Sequence, residues 1–295
     1  MQNYSGQLEE QVKLARYCTW RVGGFAQYVY SAVDRDDLIQ FITNPAYAPF
    51  TWLGLGSNVL IRDGGIEGTV ILTQDCLSEL HQIDDQKVYV EAGVPCAKLA
   101  KLCARLGFCG AEFFGGIPGT MGGALFMNAG AYGSETWQYV VEVETLDANG
   151  NIHVRKPEDF KIAYRHIEGP PEWFISATLQ FTPGDSQITQ ANLKELLQKR
   201  NAAQPIGLPS GGSVFRNPPG NYAARLIEAA GLKGYAIGGA QVSPKHANFI
   251  VNTGNALAAD IENLILYLRE RVQESSGILL EPEVKILGIL SRKNL

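Results

Sequence analysis

The feature of the sequence that most constrains the fold is a long stretch of glycine and small residues over positions 113–133, containing GGIPGTMGGALFMNAGAYG. Such a stretch is too long and too weakly periodic for a plain turn. Because glycine has no Cβ, a ligand can press closely against its backbone. The stretch therefore indicates a loop that lines a ligand, while glycines that only serve the packing of a β-rich fold are the alternative.

A second glycine loop, Gly54-Leu55-Gly56-Ser57-Asn58, lies between two short predicted strands. Consecutive N–H groups in such a loop can turn toward one anion and hold a pyrophosphate. The Rossmann fingerprint would need a third glycine at position 59, which is Val59, and no Walker A lysine is present. Alone, the loop is better explained as a tight turn. Together, the two glycine loops fit a long ligand whose pyrophosphate lies between them.

The bulk composition limits the classes of partner. A net charge of -5 argues against a nucleic-acid binder, which usually carries a basic stripe. The 295 residues, 45% of them hydrophobic, allow one large globular domain or two to three smaller ones. There is no apolar run long enough for a membrane span, and the first residues lack the apolar core of a signal peptide.

The cysteines are scattered and include no C-x-x-C pair, so neither a zinc site nor a redox dithiol is predicted, and we expect no metal. Their odd number, without a signal peptide, indicates buried and inert thiols in a reducing cytoplasm. The five cysteines are Cys18, Cys76, Cys96, Cys103 and Cys109.

Hydrophobic periodicity and turn residues predict a mixture of short strands and helices. Asp34 is the expected N-cap of the first helix, and Gly107 the expected stop of the second. Gln204-Pro205 is a plausible domain boundary. Strands are predicted over residues 27–33, 51–53, 68–73, 87–92, 140–147, 152–155, 174–181, 235–241, 248–251 and 280–287, and helices over 36–42, 96–106, 188–203, 222–230 and 256–274. This order of elements predicts α+β domains.

Six motifs occur in a fixed order between about residue 17 and residue 288. They are Trp20-Arg21-Val22-Gly23-Gly24, GLGSNVL, GGIPGTMGGALFMNAGAYG, Tyr164-Arg165, GGSVFRNP and LEPEVKILG. Each motif is modest, but in this order and spacing they closely resemble the UDP-N-acetylenolpyruvoylglucosamine reductase family. The sequence departs from the family after Arg165, where the family often reads Tyr-Arg-x-Ser-x-Phe and this sequence reads Tyr164-Arg165-His166-Ile167-Glu168-Gly169. It also has no long tyrosine-bearing insertion, so it resembles the shorter subtype.

The resemblance implies an α+β fold with a vanillyl-alcohol-oxidase-like (PCMH-type) FAD-binding region and a small α+β C-terminal substrate-binding domain. Residues 1–74 and 75–185 would form two FAD-binding subdomains, and residues 186–295 the substrate domain. The FAD contacts implied by the shared motifs are Arg21, Gly23, Leu53, Gly54, Gly56, Ser57, Asn58, Val59, Ile117, Pro118, Gly119, Thr120, Gly122, Gly123, Ala124 and Asn128.

The resemblance also implies a reaction. It is the NADPH-dependent, FAD-mediated reduction of UDP-N-acetylglucosamine enolpyruvate to UDP-N-acetylmuramate in peptidoglycan precursor synthesis. The matching catalytic positions are Arg165, Ser213 and Glu283. Hydride added to the terminal carbon of the vinyl ether leaves an enolate, which Arg165 and Glu283 would stabilise. Ser213 would then supply the proton, because even a weak acid can protonate so strong a base. Glu283 would contribute most directly as a neutral acid.

Six further residues are expected to bind the substrate, and Arg216 and Arg225 are the expected partners of the UDP diphosphate. The full set is Tyr164, Arg216, Tyr222, Arg225, His246 and Asn248. A solvated helix face remains the alternative for the arginines, and a turn-capping serine the alternative for Ser213.

Two other functions remain open from the sequence. A flavin oxidase of the same architecture is disfavoured by the compact C-terminal region with GGSVFRNP. A non-catalytic nucleotide-binding module is disfavoured because Arg165, Ser213 and Glu283 occur together. The expected partner is a small-molecule UDP-sugar, with no nucleic acid, no membrane and no obligate protein partner.

Overall fold

The computed structural model describes residues 4–291 and divides the chain into two compact units. The first unit comprises the N-terminal residues up to Glu9, then Tyr28–Leu55 and Gly68–Arg200. The second comprises Glu10–Gln27, Gly56–Glu67 and the chain from Asn201 onward. These units differ from the three consecutive segments 1–74, 75–185 and 186–295, because the second unit is assembled from stretches distant in sequence. Local sequence patterns do not show which distant segments of the chain belong to the same compact unit.

Within residues 4–291 the elements are short strands, six α-helices and five short 3-10 helices. The strands are β1 (Gln7–Lys13), β2 (Phe25–Ser31), β3 (Phe50–Leu53), β4 (Val59–Ile61), β5 (Ile66–Leu72), β6 (Leu80–Gln82), β7 (Lys87–Glu91), β8 (Phe108–Cys109), β9 (Gly130–Ala131), β10 (Ser134–Glu135), β11 (Val140–Leu146), β12 (Ile152–Arg155), β13 (Lys161–Ala163), β14 (His166–Glu168), β15 (Trp173–Gln180), β16 (Thr182–Pro183), β17 (Ala236–Ile237), β18 (Ala240–Val242), β19 (Ile250–Asn252) and β20 (Lys285–Leu287). The helices are α1 (Arg35–Ile42), α2 (Cys96–Leu106), α3 (Met121–Met127), α4 (Ser186–Ala203), α5 (Ala223–Ala229) and α6 (Ala258–Ser276).

The core of the first unit lies on an antiparallel five-stranded sheet in the order β12-β11-β15-β7-β6. Helix α2 buries one apolar face, including Cys96, Leu99 and Cys103, in the same hydrophobic cluster as Val88 and Val90 of β7. It ends at Gly107, whose φ of 76° is the left-handed conformation that closes many helices. The predicted helix and its glycine stop are confirmed.

A second layer of the first unit pairs β3 with β5 in parallel and covers this pair with α1. The carboxylate of Asp34 accepts a hydrogen bond from the N–H of Asp37, so the predicted N-cap is confirmed. The rings of Tyr30 and Phe41 stack with centroids 3.6 Å apart. The first glycine loop follows directly after β3 of this layer.

Helix α3 was not predicted, because its sequence MGGALFM contains two glycines that lower helix propensity. Tertiary contacts compensate for this. Gly122 donates its N–H to the carbonyl of Ala92 at 2.8 Å, and an added Cβ at Gly122 would lie 3.0 Å from the Ala92 side chain. The helix ends at Asn128 in a left-handed conformation with φ of 42°.

The second unit packs α6 against an antiparallel sheet in the order β17-β18-β19. Its segments are joined by hydrogen bonds across long stretches of sequence. The indole N–H of Trp20 donates to the carbonyl of Ile250 at 2.7 Å. The guanidinium of Arg62 forms a bidentate pair with Glu262 at 3.0 and 2.7 Å. Both carboxylate oxygens of Asp63 cap the first turn of α6.

Strand β20 is shorter than the predicted strand over 280–287 and pairs in parallel with β4. The residues before it form an isolated bridge between Pro282 and Phe215, with flanking hydrogen bonds from the N–H of Glu283 to the carbonyl of Val214 and from the N–H of Arg216 to the carbonyl of Glu281.

Two further features concern the described residues as a whole. None of the helices within residues 4–291 is long and apolar enough to cross a membrane. All five cysteines are free thiols, and burial raises the pKa of Cys96 and Cys103 to about 12. Thiols with such a pKa are unreactive at neutral pH.

Candidate active site

The two glycine loops touch each other within the first unit, at Gly54 and Thr120. A Cβ added at Gly54 would collide with Oγ1 of Thr120 and lie 3.0 Å from its Cγ2. Only glycine therefore fits position 54 without a shift of the Thr120 side chain. Two segments that the sequence predicts to bind one cofactor are brought into contact.

The loop before α3 offers backbone donors. Among residues 4–291 no acceptor receives a hydrogen bond from the backbone N–H of Gly119, Thr120 or Gly123. The Cβ position of Gly123 has no neighbour nearer than Oγ1 of Thr120, at 3.9 Å. Gly122 differs, because its N–H already bonds to Ala92. The open donors and the open space at Gly123 suit a phosphate group.

The first glycine loop continues into the second unit at Gly56, whose φ is 61°. The carbonyl of Gly56 accepts from the N–H and hydroxyl of Thr19, and an added Cβ would collide with the carbonyl of Tyr17. Within the described part of the chain, the N–H groups of Gly56, Ser57 and Asn58 donate to no acceptor. Orphan donors in a glycine loop are the arrangement that binds a pyrophosphate, so this loop fits FAD.

The segment around Arg21 and Gly23 is held in an unusual backbone conformation. Arg21 has φ of 59° and Gly23 has φ of 130°, a value that residues with a Cβ rarely adopt. The N–H of Arg21 donates to the carbonyl of Cys18 at 2.8 Å, which closes the turn and leaves the arginine side chain exposed. The remaining predicted cofactor residues flank the loops: Leu53 ends β3, Val59 begins β4, Ile117 and Pro118 precede Thr120, and Ala124 lies within α3.

Arg165 is the second residue of the two-residue turn between β13 and β14, with φ of 57°. Its Nη1 donates to the carbonyl of Asn128 at 3.2 Å and its Nη2 to the carbonyl of Gly130 at 2.6 Å. The guanidinium lies 5.0 Å from the ring centroid of Tyr164. A left-handed conformation at a residue with a long side chain is strained, and such strain is concentrated at functional sites.

Asn128, which is only 1% exposed, supports this arrangement through the hydrogen bonds of its side chain. Its Nδ2 donates to Glu135 at 2.8 Å and to the carbonyl of Ala163 at 3.1 Å. Its Oδ1 accepts from the N–H of Trp137 at 3.2 Å. Gly130 is also constrained, because an added Cβ would collide with the carbonyl of Ser134 and lie 3.0 Å from Nη1 of Arg165. Gly130 is absent from the predicted site, although it lies in the quoted motif NAGAYG.

Ser213 and Glu283 lie on neighbouring segments of the second unit. The N–H of Glu283 donates to the carbonyl of Val214 at 2.7 Å, one residue after Ser213. Gly211 packs against the buried indole of Trp20, whose ring carbons would lie 2.5–2.8 Å from an added Cβ. The hydroxyl of Ser213 forms no hydrogen bond with residues 4–291. The geometry thus brings two of the three predicted catalytic residues together, while Arg165 belongs to the first unit.

Two basic side chains of the second unit, Arg216 and Lys285, lie near each other. Nη1 of Arg216 is 3.8 Å from the carboxylate of Glu281. Burial, together with the nearby charge of Arg216, lowers the pKa of Lys285. Lys285 was missed from the predicted site, although it stands in the quoted motif LEPEVKILG.

The other predicted substrate residues fall into two groups. His246 is half-buried, which lowers its pKa, and its Nδ1 accepts from the N–H of Asn248. Asn248 is 4% exposed and uses its amide on the backbone of Phe215. Tyr222 precedes α5 and Arg225 lies on it, and both side chains are exposed.

Two family models match the chain. The model of the C-terminal domain of UDP-N-acetylenolpyruvoylglucosamine reductase matches residues 204–287, and that of an FAD binding domain matches residues 26–155. The reductase of Alkalilimnicola ehrlichii is 55% identical over 96% of this chain and 95% of its own length. The reductase of Methylococcus capsulatus is 54% identical over 95% of this chain and 92% of its own length. The chain belongs to the UDP-N-acetylenolpyruvoylglucosamine reductase family.

A solved member of the same family has the same fold. The crystal structure of UDP-N-acetylenolpyruvylglucosamine reductase from Thermus caldophilus superimposes with a TM-score of 0.81 at 34% identity. The match covers 96% of this chain and 100% of that one. The predicted family, the α+β fold with an FAD-binding region, and the class of FAD-dependent oxidoreductase are therefore confirmed. In the described part of this reductase, no group of three or more His, Cys, Asp and Glu side chains could hold a metal ion.

Proposed function

We propose that this chain reduces UDP-N-acetylglucosamine enolpyruvate to UDP-N-acetylmuramate, with FAD as cofactor and NADPH as reductant, in peptidoglycan precursor synthesis. The observation that carries the proposal is the contact between Gly54 and Thr120, which joins two glycine loops with unused N–H donors. The chemistry that FAD supplies when bound is hydride transfer from NADPH to the terminal carbon of the enolpyruvyl group. The family to which the chain belongs supports this choice of substrate.

Backbone groups are proposed to hold the cofactor. The N–H groups of Ser57 and Asn58, and those of Thr120 and Gly123, would donate hydrogen bonds to the phosphates of FAD. Neutral amide donors suit this role in a chain with a net charge of -5, because they attract an anion without a basic surface. The other predicted FAD residues contribute packing around these donors.

Arg165 and Glu283 are proposed to stabilise the enolate that forms as hydride adds to the vinyl ether. Negative charge spreads from the carbon into the substrate carboxylate, so a fixed cation lowers the barrier. Arg165 is suited to this because the carbonyls of Asn128 and Gly130 fix its guanidinium before the substrate arrives. Glu283 contributes by donating a hydrogen bond when its carboxyl is protonated.

Ser213 is proposed to supply the proton that completes the reduction. Its hydroxyl O–H transfers the proton to the carbon next to the carboxylate, and the serine then recovers a proton from solvent. One hydride and one proton are thus added across the double bond. A hydroxyl with no hydrogen-bond partner among residues 4–291 is available for this transfer.

The proposed substrate contacts are Tyr164, Arg216, Tyr222, Arg225 and His246, with Lys285 as an addition. Arg216 and Lys285 provide positive charge that suits the UDP diphosphate. The proposed setting is the cytoplasm, which agrees with thiols that are unpaired. No obligate protein partner is part of the proposal.

The test separates two half-reactions in a stopped-flow spectrophotometer. Purified protein should show a flavin absorbance band that NADPH bleaches without oxygen, and the enolpyruvyl UDP-sugar should restore it. A flavin oxidase would ignore NADPH, and a protein without flavin would be colourless. Either result overturns the proposal.

The residue assignments are tested in the same assay. In Ser213→Ala, NADPH should bleach the flavin absorbance at the normal rate. The substrate should restore this absorbance at least about a hundredfold more slowly than in wild type. Glu283→Gln should slow the same recovery while the FAD content stays unchanged. Ser275→Ala, which removes a serine hydroxyl at the end of α6, is the matched control and should behave as wild type. Equal slowing of both half-reactions by Ser213→Ala would contradict the proton-donor role.

A further inference from the structure

Asn248 is tied to the chain segment that follows Ser213. Its Oδ1 accepts the N–H of Phe215 at 3.0 Å, and its Nδ2 donates to the carbonyl of Phe215 at 2.8 Å. Its main-chain carbonyl accepts the N–H of Val214 at 2.9 Å. The buried amide therefore acts as a neighbouring strand would, satisfying both polar groups of Phe215. A side chain engaged in this way is not available to a ligand.

The opposite edge of the same segment is bonded to Glu283. The carbonyl of Val214 accepts the N–H of Glu283 at 2.7 Å, and Phe215 forms a bridge with Pro282. Asn248 on one edge and the 282–283 segment on the other therefore fix the two residues after Ser213. The register between Ser213 and Glu283 depends on this double attachment.

Gly212, directly before Ser213, offers less restraint. It has φ of 74°, and a Cβ added there would meet nothing within 4 Å. The residues before it are held, because Ser210 forms an isolated bridge with Val251 and Gly211 packs on Trp20. Because glycines leave a chain flexible, the position of the Ser213 hydroxyl is set mainly from the side of Val214 and Phe215.

We infer that Asn248 is a positioning residue for Ser213, and this inference rests on the proposed function of Ser213 as proton donor. Proton transfer to carbon requires the O–H to be within hydrogen-bonding distance of the acceptor, and a displacement of 1 Å can cost on the order of a hundredfold in rate. The role differs from the substrate contact predicted from the sequence. The positioning role predicts that replacing Asn248 slows the protonation of the substrate carbon and leaves the rate of flavin reduction by NADPH unchanged.

The first test is Asn248→Leu, which removes both hydrogen bonds to Phe215 at similar volume. Bleaching of the flavin by NADPH should stay within about twofold of wild type, and reoxidation by the enolpyruvyl substrate should slow by about 10–100-fold. Asp260→Ala is the matched control, because it also removes two side-chain bonds to backbone N–H groups of the second unit. Asp260→Ala should lower the melting temperature but leave the ratio of the rates of flavin reduction and flavin reoxidation unchanged.

The second test is a double-mutant cycle with Ser213→Ala. If Asn248 acts through Ser213, Asn248→Leu should slow reoxidation by less than about twofold once the hydroxyl is absent. Additive losses, or equal slowing of both half-reactions by Asn248→Leu alone, would overturn the inference. These outcomes differ from failure of the proposed function, in which the wild-type protein itself is not reoxidised by the substrate.

Asn248→Asp keeps the inference testable if Asn248→Leu does not fold. The aspartate retains an acceptor for the N–H of Phe215, but an ionised oxygen would face the carbonyl of Phe215 in place of the Nδ2 donor. Protonation restores a donor there. Reoxidation by substrate, relative to wild type at each pH, should therefore recover as the pH falls through the pKa of the introduced carboxyl. A constant ratio across pH 5–8 would contradict the role of the hydrogen bond.

Discussion

The replacement Asn128→Asp should loosen the support of Arg165 while changing almost no volume. In the native protein, Nδ2 of Asn128 donates to Glu135 at 2.8 Å and to the carbonyl of Ala163 at 3.1 Å. The new oxygen would face both of these acceptors. Two attractive contacts therefore become repulsive ones, inside a site where residue 128 is only 1% exposed.

The magnitude follows from these distances. Two unit charges 2.8 Å apart repel by about 6 kcal/mol at an effective dielectric constant of about 20. Glu135 is half-buried, so solvent screening reduces this to roughly half. Losing the bond to the Ala163 carbonyl adds about 1–2 kcal/mol. We expect a total destabilisation of about 4–5 kcal/mol at pH 7.5, or on the order of 10 °C in melting temperature.

The assay is the melting temperature of wild type and variant between pH 7.5 and pH 5. A proton shared by the two carboxyls of the variant relieves their repulsion, so the difference should shrink as the pH falls. Asn44→Asp is the matched control, because its partner, the hydroxyl of Tyr4, can turn its proton toward a carboxylate. A variant as stable as wild type at pH 7.5, or a deficit that does not depend on pH, would refute the reasoning.

Two further predictions concern the first unit. Gly54→Ala should yield protein with less than half the normal FAD content, measured by flavin absorbance against protein absorbance, because the new methyl collides with Thr120. Adding Thr120→Ala should restore part of the FAD, and no restoration would contradict this cause. Glu91→Gln should raise the melting temperature at pH 7.5 but not at pH 4. Burial raises the pKa of Glu91 in the native protein, so its stabilising contribution is lost as the pH rises through that value. A gain independent of pH would show that another cause operates.

Elements whose signals are local could be predicted from the sequence. Helix α2 begins and ends at Cys96 and Leu106 as predicted, because its apolar face and its stop at Gly107 lie in adjacent residues. The cap by Asp34 is equally local. Helix α3 could not be predicted, since its stability depends on hydrogen bonds to the distant segment after β7.

The sequence provides a set of candidate site residues but not their arrangement. The motifs identify Arg165, Ser213 and Glu283, but no motif shows that main-chain carbonyls fix a guanidinium, or that Glu283 pairs with the residue after Ser213. Gly130 and Lys285 were missed for the same reason, because their importance lies in what they approach in space. The roles of all these residues in catalysis stay predictions.

The assembly of the second unit from three separate stretches has a consequence for biosynthesis. Trp20 bonds to Ile250, and Arg62 bonds to Glu262, across more than half of the chain. During synthesis on the ribosome, both early stretches emerge long before their partners. Their apolar side chains therefore stay exposed to solvent until those partners are made. Chains that stop short of α6 should therefore depend on chaperones and be degraded quickly. Folding of the complete protein should be slow, because so many of its contacts join residues remote in sequence.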